Sequence, residues 1–387
     1  MSSSATKPVA LGIVGLGMAG AVMVQAAAAH EGVRLVAGAD PQPAPREAFV
    51  RDFAGRAYDD VRVLCESDEV EAVYIATPHQ FHRDHAIMAA RAGKHVIVEK
   101  PLALTLEDCD AIVEAVDRAG VTLIVGHTHG FDPAVRRMRE MIRSGEVGPL
   151  GLVAMWNYTN FLYRPRRPEE LDTSKGGGIL FNQVPHQIDT VRVLGGEIRN
   201  VRAITRRLDP TRPTEGLAAV LLELENGAAA SLVYSGYDHF DADEFHFGIA
   251  ESGAPKPMDQ HGAARRALAQ RRDDESVLRT KTFALGARAY AVPDHQPHFG
   301  AMVVTCAEAD LRASRDGVLV YGLDGVREIE LPKRSGIPGR REVLDDLVAA
   351  VRQGQAPLQD ARWGRATLEA VLAIQESART GEVVRLG

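Results

Sequence analysis

The chain has 387 residues, 45% of them hydrophobic and 25% charged, with a formal net charge of −7. That length exceeds one ordinary core, so two domains are expected, and the composition is that of a folded globular protein. The acidic balance argues against a general nucleic-acid or anionic-membrane binder, and three scattered cysteines (Cys65, Cys109, Cys306) argue against a disulfide framework or Cys-rich metal site.

The first residues, "MSSSATKPVALGIVG", lack a basic segment followed by a long apolar run, so no signal peptide is read. No run approaches the roughly 18 apolar residues of a membrane span. A cytoplasmic location is expected. "VALGIVG" then reads as a buried strand, "MAGAVMVQAAAAH" as an alanine-rich helix, and "VRLVAGAD" as a second strand. "VEAVYIATP", "KHVIVEKP" and "VTLIVGH" follow as strands, separated by helical stretches at 80–92 and 105–119. Apolar strands alternating with helices imply a parallel sheet covered on both faces.

After about Gly148 the pattern changes. "GLVAMWNYTNFLY", "EIRNVRAITRRL", "LAAVLLELENGAAASLVYSG" and "GVLVYGLDGVREIEL" read as strands, with "ENG" and "LDG" as hairpin turns. A largely antiparallel second domain is expected, interrupted by a helix from near Leu180. Residues 253–276 read as a polar, Arg-rich surface insertion, and 339–379 as two amphipathic helices.

In "GIVGLGMAG", Gly15, Gly17 and Gly20 have G-x-G-x-x-G spacing between a strand and a helix. The first permits a tight turn, the second lets backbone approach a pyrophosphate, and the third lets helix pack on strand. Met18 and Ala19 complete the turn facing the cofactor. Asp40 ends the next strand twenty residues after Gly20, where a carboxylate binds a ribose 2′-hydroxyl and repels a 2′-phosphate. NAD is favoured over NADP; the alternative is a structural strand end with a capping Asp40. No Walker lysine follows the glycines.

Ligands bind beyond the carboxyl ends of parallel strands. Thr77, Pro78, His79 and His82 in "ATPHQFH" are therefore candidates for the nicotinamide side. The i, i+3, i+6 spacing of His79, His82 and His85 invites a metal reading, which is disfavoured because the three spread over more than half a helical turn with no Cys or carboxylate ligand beside them. Glu99-Lys100-Pro101 puts an amine at a strand end, where it can hydrogen-bond a substrate hydroxyl; the alternative is a surface lysine. In "GGGILFNQVPHQID", Asn182, His186 and Asp189 fall at i, i+4 and i+7, on one face of a helix. His186 is a natural proton carrier. Arg164, Arg166 and Arg167, just after Tyr163, need an anion. Either Glu169, Glu170 and Asp172 supply it on a solvated loop, or a substrate does.

In this order, "GIVGLGMAG", "AGKHVIVEKPLA", "VGHTHGFDPAVRRMREMIRSGEVGPL", the "GGG…H…D" helix and "ESARTGEVVRL" resemble the glucose-fructose oxidoreductase/inositol dehydrogenase/MocA (Gfo/Idh/MocA) family over nearly the whole chain. The resemblance implies an α/β fold: an N-terminal Rossmann domain (1–128) with a doubly wound parallel sheet, then a C-terminal α/β domain (129–387) with a large open, mostly antiparallel sheet. It also implies NAD(P)-dependent hydride transfer, catalysis by Lys100 and His186, and a homodimer or homotetramer joined through the open sheet. Many members carry Asp four residues before the histidine, where this chain has Asn182. Proton transfer then falls on His186 and Lys100. Pro185 also departs from the pattern and is expected in a first helical turn or at a local distortion.

Within the family, "MWNYTNFLYRPRRPEELDTSKGGGILFNQVPHQID" and "SLVYSGYDHFDADEFH" look most like the phthalate 4,5-cis-dihydrodiol dehydrogenases, with the related chlorobenzoate cis-dihydrodiol enzymes close behind. The small-molecule substrate this implies carries adjacent carboxylates, which suit arginine forks, with Asn182 and Asp189 orienting the diol or the imidazole. Tyr163, Tyr237 and His239 are candidates for lining the ring pocket. Two other readings stand: a sugar or inositol dehydrogenase of the same fold, and a non-catalytic NAD-binding regulator.

Overall fold

The computed structural model describes residues 7–270, 293–333 and 335–387, which form two units. The first holds the described residues up to His127 together with Gly336–Leu368. The second holds the described residues from Thr128 to Ser335 and then Glu369–Gly387.

In the first unit, β1 (Val9–Val14), β2 (Val33–Ala39), β3 (Arg56–Tyr58), β4 (Ala72–Ile75), β5 (His95–Val98) and β6 (Leu123–Val125) form a parallel sheet in the order β3-β2-β1-β4-β5-β6. Helices such as Met18–Ala28, His82–Arg91 and Leu106–Ala119 make the crossovers, and β1 and β4 are buried along their whole length. Chain order reverses between β1 and β4, so their carboxyl ends open the crevice of a doubly wound sheet. The three-residue β3 is half exposed and carries no apolar run for the sequence to display.

The helix Arg340–Gln353 belongs to this unit although it is distant in sequence. Arg352 reaches Glu71 at 2.8 Å and the Lys7 carbonyl at 2.7 Å, and Asp345 meets His30 at 3.1 Å.

The second unit carries nine strands: β7 (Leu150–Tyr158), β8 (Ile198–Arg206), β9 (Leu217–Leu224), β10 (Ala229–Ser235), β11 (Ala301–Cys306), β12 (Asp310–Ala313), β13 (Gly317–Gly322), β14 (Gly325–Glu330) and β15 (Val384–Arg385). Their order is β14-β13-β12-β11-β7-β10-β9-β8-β15, antiparallel except for the β7–β10 pair. The hairpin signals hold: "ENG" turns β9 into β10 and "LDG" turns β13 into β14. Helices Pro133–Ser144 and Val184–Gly195 cover one face; Trp156, Ile204, Leu221 and Tyr321 are exposed on strands of the sheet.

The run "GLVAMWNYTNFLY" is strand only to Tyr158, after which Phe161–Tyr163 form a buried 3-10 turn. The insertion read at 253–276 has a short helix at Ala263–Ala269; residues 271–276 lie outside the described residues. Among the described residues no helix is long and apolar enough to cross a membrane.

Candidate active site

The glycine loop after β1 is shaped for a dinucleotide. Gly15 has φ +88°, which favours glycine, and a Cβ there would lie 2.8 Å from the Ala76 carbonyl oxygen. At Gly20 the fit is tighter, since a Cβ would stand 1.8 Å from the Gly15 oxygen. Gly17 differs: it meets open space and sits at the N-terminus of helix Met18–Ala28, where N–H groups can receive phosphate. Met18 is exposed and Ala19 half-buried beside it. Asp40 Oδ2 accepts the Leu16 N–H and Oδ1 the Gln42 N–H, both at 2.9 Å. The carboxylate is thereby fixed to the loop with lone pairs left for a ribose hydroxyl. Asp40→Ala should raise KM for NAD by about 10–100-fold and narrow the preference over NADP. Steady-state kinetics with both cofactors checks this; an unchanged preference would contradict it.

The ends of β4 and β5 are tied together. His82 is wholly buried, with Nδ1 2.8 Å from the Pro101 carbonyl and Nε2 2.9 Å from the Thr77 carbonyl. Its ring braces the two strand ends instead of facing outward, because burial and both carbonyls use up its edges. Thr77 Oγ1 lies 3.1 Å from His85 Nδ1. Pro78 is exposed and His79 half-buried, leaving these two on the open side of the loop. Among the described residues no group of three or more His, Cys, Asp or Glu is placed to hold a metal ion.

Glu99 is buried and accepts hydrogen bonds from Tyr74 and Arg340, whose Nη1 also reaches the Tyr74 hydroxyl at 2.8 Å. Burial alone would raise the Glu99 carboxyl. The Arg340 guanidinium, the Tyr74 hydroxyl and Lys100 together hold it below the ordinary carboxylate range. Glu99 is therefore spent on Arg340, and half-buried Lys100 is the group the strand end presents.

In the second unit the expected single helix is two. Gly178–Asn182 and Val184–Gly195 meet at a break on Gln183, with Pro185 in the first turn of the second helix. Pro185 has no N–H to continue the ladder, so the break falls just ahead of it. Asn182 therefore does not share a continuous helix face with His186 and Asp189. Its Nδ2 donates to the Gly178 carbonyl at 2.9 Å and so serves its own turn. The preceding glycines are needed for packing: a Cβ on Gly178 would meet Thr214 Oγ1 at 2.0 Å.

His186 and Asp189 are both buried. The His186 ring stands edge-on to His129 at 4.9 Å and 5.2 Å from Phe299. His129 stacks on Phe299 at 4.3 Å, and its Nδ1 lies 3.1 Å from Asp132 Oδ2. Tyr234 is 6.4 Å from Phe299, and its hydroxyl bonds Thr159 at 2.8 Å and Gln183 at 3.1 Å. The sequence alone does not single out His129, Asp132, Phe299 or Tyr234. The i, i+3 spacing of His129 and Asp132 ahead of a helix was the one signal available for them.

Thr159 also lines a cavity of about 250 Å³ with Asn160, Arg164, Glu251 and Lys256, whose ammonium donates to both Asp241 and Asp243, to the latter at 2.6 Å. Arg164 Nε donates to Asn160 Oδ1 at 2.6 Å, which anchors the guanidinium at that lining. Arg166 takes the local alternative: it pairs with Glu170 at 3.2 Å, donates to the Phe161 carbonyl, and lies over the Phe161 ring at 3.9 Å. Burial lowers its pKa, with Glu170 opposing. Arg167 is exposed.

Tyr163 donates to Asp209 at 2.7 Å, and the Tyr237 hydroxyl accepts the Leu208 N–H at 2.7 Å. Arg265 gathers this group, reaching the Tyr163 hydroxyl at 2.8 Å, the Tyr237 carbonyl at 3.1 Å and His239 Nε2 at 3.2 Å. Both tyrosines are buried and so committed, which leaves exposed His239 as the open member.

Residues 9–127 match the oxidoreductase family with an NAD-binding Rossmann fold, and residues 135–248 match the GFO/IDH/MocA C-terminal domain. The chain belongs to the Gfo/Idh/MocA oxidoreductase family. It is 38% identical to the 1-carboxy-3-chloro-3,4-dihydroxycyclohexa-1,5-diene dehydrogenase of Comamonas testosteroni, over 95% of this chain and 94% of that one. A crystal structure from Bordetella bronchiseptica RB50, of a protein named a dehydrogenase by inference, superposes with TM-score 0.93 at 47% identity over 98% and 100% of the two chains. A levoglucosan dehydrogenase in complex with NADH and levoglucosan shares the fold, with TM-score 0.75 at 21% identity over 98% and 99%. NAD is the cofactor, in keeping with the bare glycine loop and anchored Asp40.

Proposed function

We propose that the protein oxidises a carboxylated cis-dihydrodiol of a benzene ring to the corresponding catechol, with phthalate 4,5-cis-dihydrodiol as the first substrate to test. The observation that carries this reading is the 38% identity, over 95% of the chain, with an enzyme whose name describes a carboxylated chloro-dihydroxycyclohexadiene. Arg164 supports it. A guanidinium fork on a cavity of about 250 Å³ suits a carboxylate on a six-membered ring. With Arg166 paired to Glu170, Arg164 is the arginine that lines the cavity among the described residues, beside Lys256 with its Asp241 and Asp243 partners, so one carboxylate is assigned to it.

Bound NAD supplies the hydride acceptor. His186 takes the hydroxyl proton as general base. Lys100, as the family resemblance implies, hydrogen-bonds the reacting hydroxyl. The ketone formed tautomerises to a catechol, and the gained aromaticity draws the reaction forward.

Arg164→Met should raise KM for a carboxylated dihydrodiol about 10–100-fold while leaving KM for a carboxyl-free cis-dihydrodiol unchanged, as loss of a charged hydrogen bond requires. Equal effects on both diols would contradict carboxylate recognition by Arg164. A polyol substrate would show no such split.

A further inference from the structure

We infer that His129, oriented by Asp132, is the site's second imidazole: it receives the substrate's hydroxyl proton from His186 and passes it to solvent. This rests on the reading of the chain as an alcohol-oxidising dehydrogenase with His186 as base. A buried base that has taken a proton must lose it before the next turnover. His186 keeps only 7% of its surface exposed, and its ring packs against the stacked pair of His129 and Phe299, 4.9 Å and 5.2 Å away. At 4.9 Å between ring centres and 80° between ring planes, the two imidazoles are near enough for a proton to pass through one bridging water. The His129 side chain is 16% exposed, so the route to water runs through it.

The surroundings of His129 fix its orientation. One face stacks on Phe299 at 4.3 Å, and Nδ1–H donates to Asp132 Oδ2 at 3.1 Å. That bond selects the tautomer in which Nε2 accepts, the arrangement a carboxylate imposes on a catalytic imidazole. It also stabilises the imidazolium formed when the proton arrives. Asp132 is 2% exposed, and among the described residues its Oδ1 has no other partner, so its charge is directed at His129. Burial holds the Asp132 carboxyl above the ordinary range, while His129 and His298 oppose that rise and Glu251 adds to it. Asp132 and His186 face His129, and His298 and Glu251 act on Asp132.

Proton and electron balance is simple. The carbinol carbon gives its hydride to NAD⁺, the hydroxyl proton passes to His186, then to His129, then to water. His129 touches the reaction through His186, which makes it a positioning and relay residue.

The test uses whichever alcohol the full-length wild type oxidises, diol or polyol, with NAD⁺. His129→Ala should lower kcat about 10–100-fold with KM unchanged, the range for a lost proton-transfer group. Added imidazole should restore turnover in a concentration-dependent way. Asp132→Asn keeps the shape, and should lower kcat comparably while moving the acid limb of the kcat–pH profile to lower pH, because a neutral partner no longer stabilises the imidazolium. An unchanged kcat in His129→Ala, or a loss that imidazole does not restore, would overturn the relay. Oxidation of polyols alone would defeat the dihydrodiol reading and leave the relay to be judged on the polyol. Oxidation of no alcohol at all would defeat both.

Discussion

His186→Ala is expected to turn over at least about a hundredfold more slowly than the parent while binding NAD as before. The glycine loop, Asp40 and the strand ends that serve the cofactor lie in the first unit, and His186 lies in the second. Its helix is held by other groups: Gln187 bonds Asn157 at 2.7 Å and the Val233 carbonyl at 3.1 Å, and Arg192 binds Glu197 at 2.7 Å. Losing the imidazole therefore removes a proton acceptor without releasing the helix. NADH formation measures turnover, and fluorescence titration with NADH measures binding. Turnover near the parental rate would remove His186 from the chemistry.

The largest stability effect is expected at Arg340. It pairs with Glu99, and the two side chains are 14% and 10% exposed. Removing one partner of a buried ion pair costs about 3–5 kcal/mol, because the other charge stays buried. Arg340→Met should lower the thermal midpoint accordingly. The pH dependence follows from the signs. In the parent, the Glu99 carboxyl is depressed, so its contribution is present above the ordinary carboxylate pKa and is lost as pH falls through the depressed value. Without Arg340, burial dominates and the carboxyl rises. Protonation then relieves the buried charge, and the deficit of the variant should be greatest at neutral pH and shrink on acidification. Glu99→Gln added to Arg340→Met should recover part of the loss at neutral pH. A pH-independent deficit, or none, would contradict the pairing.

What the sequence displays is what is local. The strand, glycine turn, helix and Asp40 lie within one short stretch, and the spacing already states the steric reason for Gly15 and Gly20 and the open approach at Gly17. Pro185 announces a disturbance of the helix; only the structure puts the break at Gln183 and takes Asn182 off the His186 face. Long-range partners are invisible by comparison. Arg340 meets Glu99 from 241 positions away, and nothing near either residue marks it. Phe299 packs on His129 and His186 from a distant loop, so the aromatic wall of the site has no local signature. The arginine cluster shows the limit most clearly. Composition says that Arg164, Arg166 and Arg167 need anions, but the buried turn at Phe161–Tyr163 decides which side chain folds back onto Glu170 and which lines the cavity. His82 reads as a candidate ligand-facing group for the same reason: its neighbours in sequence do not reveal the Pro101 and Thr77 carbonyls that occupy its ring.

The central claim is tested most directly by mixing the purified protein with NAD⁺ and following NADH absorbance with phthalate cis-4,5-dihydrodiol in one cuvette and glucose or inositol in another. The expected result is fast reduction with the dihydrodiol and none with the polyols. Reduction with the polyols alone would contradict the carboxylated-diol assignment and return Arg164 to an ordinary surface role.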